Sequence, residues 1–211
     1  LQEVANYCVD SPTLDNVFCD NITRSSGPGA TGYVTSYVLS PENTAFFRTA
    51  GADISVAYRT DLGAIGSLGM SAKVGYLDKL EFLPANGGVV DDERGEAGAP
   101  KWSGTADITW SLDNFAVNYG LQYVGEQLRY EHDQIAADPD IVAPEYLEIG
   151  SRFMHDIRLA YTTDSQAWSY YAGVNNLTNE QPTIGDITTP TGWRGRYFYA
   201  GLKLRTDDLP F

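Results

Sequence analysis

The chain of 211 residues is long enough for one large β domain or two small domains. Its formal net charge of −14 at pH 7 argues against a nucleic-acid partner, because no basic patch supplies the phosphate neutralisation that drives such binding. The 14 tyrosines and 21 glycines are typical of strands joined by tight turns. No apolar run reaches the roughly 20 residues of a transmembrane helix, whereas barrel strands need only about 10 alternating residues each.

Residues 1–45 are rich in turn-forming residues and are predicted to be a loop segment with one strand, near Tyr33 to Leu39. Cys8 and Cys19 lie in its polar first half. A metal or redox pair is one alternative, but the spacing is too wide for a Cys-x-x-Cys motif and neither histidine is near in sequence. We therefore predict a Cys8–Cys19 disulfide, which implies an oxidising compartment.

From residue 46 to the end of the chain, apolar and polar residues alternate in seven segments, which predicts β-strands with one apolar face and one polar face. One apolar residue from each segment, in chain order, is Ile54, Met70, Ile108, Tyr119, Leu159, Ala172 and Leu202. The opposite faces carry Asp53, Arg59, Lys73, Asp107, Gln122, Asp156, Arg158, Lys203 and Arg205. So many charged and polar groups do not fit a dry core, and they favour a wet lumen.

The predicted connections alternate in length. Residues 61–66, 113–114 and 164–166 form short turns, whereas residues 84–100, 131–150 and 178–193 form long polar loops. A transmembrane β-barrel shows this asymmetry, with short periplasmic turns and longer external loops, and a soluble sandwich need not. The pattern thus predicts an all-β fold of about seven or eight antiparallel, up-and-down barrel strands.

Aromatic residues gather near both ends of the predicted strands. Such belts are expected where amphipathic rings lie at the two membrane interfaces, although ordinary aromatic usage in strands explains any single residue. The predicted membrane-facing belt residues are Tyr58, Trp102, Trp110, Phe115, Tyr161 and Trp168.

No catalytic or metal centre is predicted. His155 and Asp156 are adjacent in a strand and so point to opposite faces, and no local Ser/His/Asp unit can be assembled around them. The acidic run at residues 91–93 lacks the spacing of a dedicated calcium loop. The predicted ligand-binding candidates are therefore polar residues of the long loops, namely Asp91, Asp92, His132 and Arg194.

The C-terminal part of the chain carries a family resemblance. Residues 171–182 read Tyr-Ala-Gly-Val-Asn-Asn-Leu-Thr-Asn-Glu-Gln-Pro, and residues 195–202 read Gly-Arg-Tyr-Phe-Tyr-Ala-Gly-Leu. This pair resembles the ending of TonB-dependent outer-membrane receptors, and residues 8–24 and 51–53 are similar to the same family. The end departs from the family pattern, because residues 206–210 separate the last predicted strand from the terminal aromatic, Phe211.

The resemblance implies a receptor in the Gram-negative outer membrane, surrounded by outer-membrane lipid, that is not an enzyme. Residues 1–45 are then an external loop segment, and residues 46–211 are the C-terminal strands of a barrel of about 22 strands. Such a receptor takes up a siderophore, cobalamin or saccharide with energy from TonB, which acts on an N-terminal part that this chain lacks. The alternative is a self-contained small β-barrel or a soluble β-sandwich carbohydrate-binding module.

Overall fold

The computed structural model describes residues 2–10, 12–29, 32–38, 46–83, 89–182, 192 and 194–205. The chain divides into two compact units, one of residues 1–47 and 83–90 and the other of residues 48–82 and 91–211. Within the described ranges, no helix combines the length and the apolar character that crossing a membrane requires.

The first unit contains the predicted disulfide and two short helices that the sequence pattern does not predict. Helix α1 (Gln2–Asp10) and helix α2 (Val17–Asp20) are joined by the Cys8–Cys19 disulfide, which is confirmed. Asn16 caps α2 by accepting hydrogen bonds from the backbone N–H groups of Phe18 and Cys19, at 3.1 and 2.9 Å. Helices of 9 and 4 residues are too short to be stable alone, so the cross-link and the cap account for them.

The predicted strand of the first unit is also present. Strand β1 (Ile22–Arg24) pairs antiparallel with strand β2 (Val34–Tyr37), which lies within the predicted region around Tyr33. Leu39, the predicted end of that strand, falls outside the described residues.

The second unit is organised around one open sheet. Its long strands are β3 (Phe46–Asp61), β4 (Ser67–Leu83), β6 (Trp102–Leu112), β7 (Phe115–Val124), β10 (Arg152–Thr162), β11 (Trp168–Asn175) and β12 (Tyr197–Leu204). Each pairs with the next of these along the chain, and every pairing from β4 to β12 is antiparallel. The sheet does not close, and β3 and β12 are its edges. The predicted all-β, up-and-down architecture is confirmed as part of a barrel.

The remaining elements of this unit lie in the long connections. They are the short strands β5 (Asp91–Asp92), β8 (Gln127–Leu128) and β9 (Glu148–Ile149), helix α3 (His132–Ala137) and a 3-10 helix at Pro144–Tyr146. The opposite ends of the strands have short turns, one of which contains a 3-10 helix at Gly63–Ile65. In the other two turns, Asp113 and Gln166 adopt positive φ angles of 50° and 59°. Most of the third long connection, residues 178–193, falls outside the described residues.

The strand register places the predicted apolar positions on one continuous face. Ile108 lies beside Met70 on β4 and beside Tyr119 on β7. Leu159 lies beside Val117 on β7 and beside Ala172 on β11. Because register is kept from β4 to β12, the apolar side of each strand meets that of its neighbour. The prediction of one-sided strands is confirmed.

The other face of the sheet is polar along its whole width. Asp107 of β6 lies beside Ser71 and Gly120, and Asn118 of β7 lies beside Thr109 and Arg158. The Asn118 amide donates a hydrogen bond of 2.6 Å to the Thr109 hydroxyl. Cross-strand polar pairs of this kind are stable where water reaches the sheet.

Candidate functional site

The long loops at one end of the sheet fold against one another into a structured layer. We call residues 91–100, 125–137 and 144–151 the loop layer. Leu128 of β8 donates its backbone N–H to Gly95 at 2.7 Å, and Arg129 donates its own to Leu147 at 2.9 Å. The Gln127 side chain is 6% exposed and accepts a hydrogen bond of 2.6 Å from the Gly98 N–H. Two connections that are remote in sequence, β4–β6 and β7–β10, therefore share one hydrogen-bonded framework.

Glu96 is the polar centre of the loop layer. Its carboxylate belongs to a residue that is only 7% exposed. The oxygen Oε1 accepts a hydrogen bond from the backbone N–H of His132 at 2.7 Å and lies 2.8 Å from Nδ1 of the same residue. A buried carboxylate needs such partners, because an unsatisfied charge is costly to bury. Glu96 thus fixes the position of His132 at the start of α3.

Asp91 and Asp92 are held at the edge of the same layer. As strand β5 they pair with Phe82 and Glu81 of β4. Asp92 accepts a hydrogen bond from the backbone N–H of Arg94 at 3.1 Å, and its other oxygen lies 3.5 Å from the Arg94 guanidinium group. These contacts fix Asp92 next to the turn that carries Glu96.

The electrostatic setting of Asp91 differs from that of an ordinary surface carboxylate. Burial, the largest cause, and the negative charges of Glu96, Asp133, Glu93 and Glu131 together raise the pKa of Asp91 from 3.8 to about 6. Asp91 therefore lies near enough to Glu96, the hydrogen-bond partner of His132, for the charge of Glu96 to affect it. No group of His, Cys, Asp or Glu side chains in the described ranges is arranged to hold a metal ion.

An open cleft of about 400 Å³ lies beside this cluster. Its lining includes charged, amide and aromatic side chains: Arg94, Lys101, Trp102, Tyr123, Glu126, Gln127, His132 and Glu148. Such a lining offers both donors and acceptors next to apolar rings, which suits a small polar ligand. Of the predicted ligand-binding residues, only His132 lines the cleft.

Arg194 stands apart from the other predicted ligand-binding residues. The central carbon of its guanidinium group lies 5.9 Å from the centroid of the Tyr197 ring. Among the described residues, no ion pair joins Arg194 to Asp91 or Asp92. Glu96 and Gln127 were not predicted as site residues, because a loop glutamate or glutamine carries no sequence signal of burial.

The turn after β11 contains Asn176, which belongs to the segment 171–182 that resembles the receptor family. Asn176 is 1% exposed, and its side chain makes two hydrogen bonds to the backbone of Glu180, at 2.7 and 2.8 Å. Its own N–H donates to Asp156 of β10 at 2.8 Å. Asn176 has a positive φ of 53°, which asparagine tolerates better than most residues. The second asparagine of the pattern is thus a structural residue that joins strand to loop.

Comparison with known proteins identifies the family of the chain. Residues 11–177 match the model of the TonB dependent receptor-like β-barrel family. The chain belongs to this family. The resemblance predicted from the sequence is confirmed, and no curated protein matches the sequence.

Two solved receptor structures are among those similar to the chain. The ferric enterobactin receptor PfeA from Pseudomonas aeruginosa (mutant R480A_Q482A) is 16% identical over 73% of this chain and 22% of its own length, with a TM-score of 0.47. The ferric-catecholate import receptor Fiu from E. coli K12 is 15% identical over 75% of this chain and 19% of its own length, with a TM-score of 0.43. The chain spans about a fifth of the length of these receptors.

The predicted aromatic belt residues of this family member lie on the apolar face near the strand ends. At the short turns, the Phe115 and Tyr161 rings are 4.9 Å apart, and the Trp110 indole donates a hydrogen bond of 2.8 Å to the Ile65 carbonyl. Near the loop layer, the Trp102 and Tyr76 rings are 4.6 Å apart. Trp168 stacks on Tyr170, and Tyr58 is more than half exposed. That these rings face membrane lipid remains a prediction.

Proposed function

We propose that the chain is the C-terminal barrel part of a receptor in the Gram-negative outer membrane, which takes up a scarce external ligand with energy from TonB. The observation that supports this most directly is the unbroken register from β4 to β12, which gives one face to lipid and the other to water. Membership of a family of transport receptors supports transport rather than catalysis.

The proposal assigns a side of the membrane to each end of the sheet. The loop layer is external, and the short turns containing Asp113 and Gln166 are periplasmic, because barrels of this kind have their longer loops outside. Residues 1–45 form an external loop segment, and residues 46–211 supply barrel strands. TonB acts on a part of the receptor outside this chain.

We propose that the external ligand first meets the loop layer. The cleft beside Glu96 and His132 offers polar contacts, and Asp91, Asp92 and Arg194 lie in the long connections at the same end of the strands. The ligand classes consistent with the proposal are a siderophore, cobalamin or a saccharide.

Membrane insertion tests the first half of the proposal. The intact protein that carries this chain should fold in lipid vesicles and require detergent when extracted from them, since the apolar outer face of the barrel must stay covered by lipid or detergent. A monodisperse monomer of the intact protein in plain buffer would contradict the membrane assignment and favour the soluble β-sandwich module.

Uptake tests the second half. Cells that express the receptor should accumulate one of a ferric catecholate, cyanocobalamin or a maltodextrin only when TonB is functional. A Glu96→Gln variant, which weakens the hydrogen bonds to His132, should bind that probe less tightly. Asn118→Ser on the polar face of the sheet serves as the matched control. Equal accumulation with and without TonB would refute the transport proposal.

A further inference from the structure

The polar face of the last three long strands carries a row of tyrosines with an arginine at each end. The Tyr197 and Tyr199 rings are 6.3 Å apart, and the Tyr199 and Tyr171 rings are also 6.3 Å apart. The Arg158 guanidinium carbon lies 4.8 Å from the Tyr171 ring, and that of Arg194 lies 5.9 Å from the Tyr197 ring. We call these five residues the Arg–Tyr ladder.

Two glycines allow the middle rings of the ladder, those of Tyr171 and Tyr199, to pack against the sheet. Tyr171 faces Gly201 across the β11–β12 pair, and Tyr199 faces Gly173. A Cβ atom added to either glycine would lie only 2.5 Å from the Cζ atom of the opposite tyrosine. Each ring therefore occupies the space of a missing side chain and turns its other π face away from the sheet.

Neither arginine forms an ion pair with any residue in the described ranges, and both residues are exposed in this chain taken by itself. Asp156, the carboxylate two residues from Arg158 on the same face, instead accepts hydrogen bonds from the Asn176 N–H and the Asn175 amide, at 2.8 and 3.3 Å. The ladder is thus a cationic, aromatic strip in a chain of net charge −14.

The ladder begins where the external loops end. Tyr197 is the first residue of β12 and pairs with the last residue of β11, Asn175. Gly201, which lies under the Tyr171 ring, is four residues further along β12, roughly 13 Å from Tyr197. The strip therefore leads from the loop end of the sheet down its polar face.

We propose that the Arg–Tyr ladder binds a flat anion, such as an aromatic or conjugated acid, on its way from the external loops into the lumen. Guanidinium groups attract the negative charge, and the exposed tyrosine faces stack on a planar π system. Neither interaction alone distinguishes a flat anion from a sugar or a peptide, but the two together do. This inference rests on the proposed function, and it names the ligand class that the polar face accepts.

The test measures binding of three matched probes to the intact protein in lipid vesicles. The probes are 2-naphthoate, which is flat and charged; 2-naphthamide, which is flat and neutral; and decahydro-2-naphthoate, which is charged but not aromatic. We expect titration calorimetry to show that naphthoate binds about tenfold more tightly than either of the others, because each loses one of the two interactions. Equal binding of all three, or no binding of naphthoate, would overturn the inference.

Variants locate the binding on the ladder. Arg158→Gln and Tyr171→Leu should each weaken naphthoate binding about tenfold. Gly201→Ala should also weaken it, since the added methyl group meets only the Tyr171 ring and must lift it. Lys203→Gln removes a cation from the same face outside the ladder and should leave binding unchanged. Unaltered binding in Arg158→Gln and Tyr171→Leu would overturn the inference.

The outcomes also separate this inference from the proposed function. A protein that inserts into vesicles but shows no naphthoate binding contradicts the ladder alone. If the ladder variants reduce stability in the vesicles and naphthoate does not bind, the ladder packs against protein, and the inference is again overturned. Failure to insert contradicts the membrane assignment itself.

Discussion

The substitution Ile108→Arg tests the assignment of the two sheet faces. Ile108 lies on the apolar face of β6, between Met70 and Tyr119 in register, and is 39% exposed. An arginine there would place a charge against lipid if the proposed function is right. Its sequence neighbour Thr109 points to the polar face, so Thr109→Arg is the matched control.

The expected loss of unfolding free energy in Ile108→Arg follows from the position of Ile108 along its strand. Trp102 and Trp110 are eight residues apart on β6, which corresponds to roughly 26 Å along the strand and, at a tilt of about 40°, roughly 20 Å across the membrane. Ile108 is then about 5 Å from the centre of this band. An arginine on the lipid face costs about 2–4 kcal/mol at the midplane, so we expect a loss of about 2–3 kcal/mol.

The control variant, Thr109→Arg, should lose much less unfolding free energy. Thr109→Arg removes the 2.6 Å hydrogen bond from Asn118, which contributes about 1 kcal/mol, but leaves the new charge on the wet face. Urea titration of both variants in lipid vesicles, followed by tryptophan fluorescence, gives the two losses in unfolding free energy. Equal losses, or a larger loss for Thr109→Arg, would show that the face assignment is wrong.

Three further predictions concern residues outside the strand centres. Asn176→Ala should cost about 2–4 kcal/mol locally, because the half-buried backbone groups of Glu180 lose both partners, and hydrogen exchange at Glu180 should accelerate; unchanged exchange would contradict this role. The raised pKa of Asp91 means that the folded loop layer favours its protonated form, so stability should fall as pH rises from about 4 to about 6 and then level off; this slope should vanish in Asp91→Asn, as followed by thermal unfolding. Reducing the Cys8–Cys19 disulfide should destabilise α1 and α2 by about 3 kcal/mol, seen as lost amide protection there, and full protection after reduction would argue against the cross-link as their main support.

The strands and their faces could be predicted because their signals are local. Alternation with a period of two places Ile108 and Thr109 on opposite faces whatever the rest of the chain does. The short turns are local as well, since the positive φ angle of Asp113 arises within the turn itself. The strand register then aligns the apolar face of each strand with that of the next.

The loop layer could not be predicted, because its contacts join residues that are distant in sequence. Glu96 and His132 are 36 residues apart, and Gly98 and Gln127 are 29 residues apart. Helices α1 and α2 were missed for a related reason, since they depend on a cross-link rather than on an apolar stripe. Asn176 was part of the quoted pattern, yet its burial follows only from the position of Glu180.

The unequal lengths of the connections also set an order for folding. In the sheet, each long strand pairs with the next along the chain, and three of the hairpins, β3–β4, β6–β7 and β10–β11, are closed by short turns. The entropy of closing a loop rises with its length, so these three hairpins close at the smallest entropic cost. Pairing β4 with β6 and β7 with β10 requires the longer connections to be ordered, and the Glu96–His132 contact links those two connections. Formation of the loop layer is therefore the step that would bring preformed hairpins into one sheet.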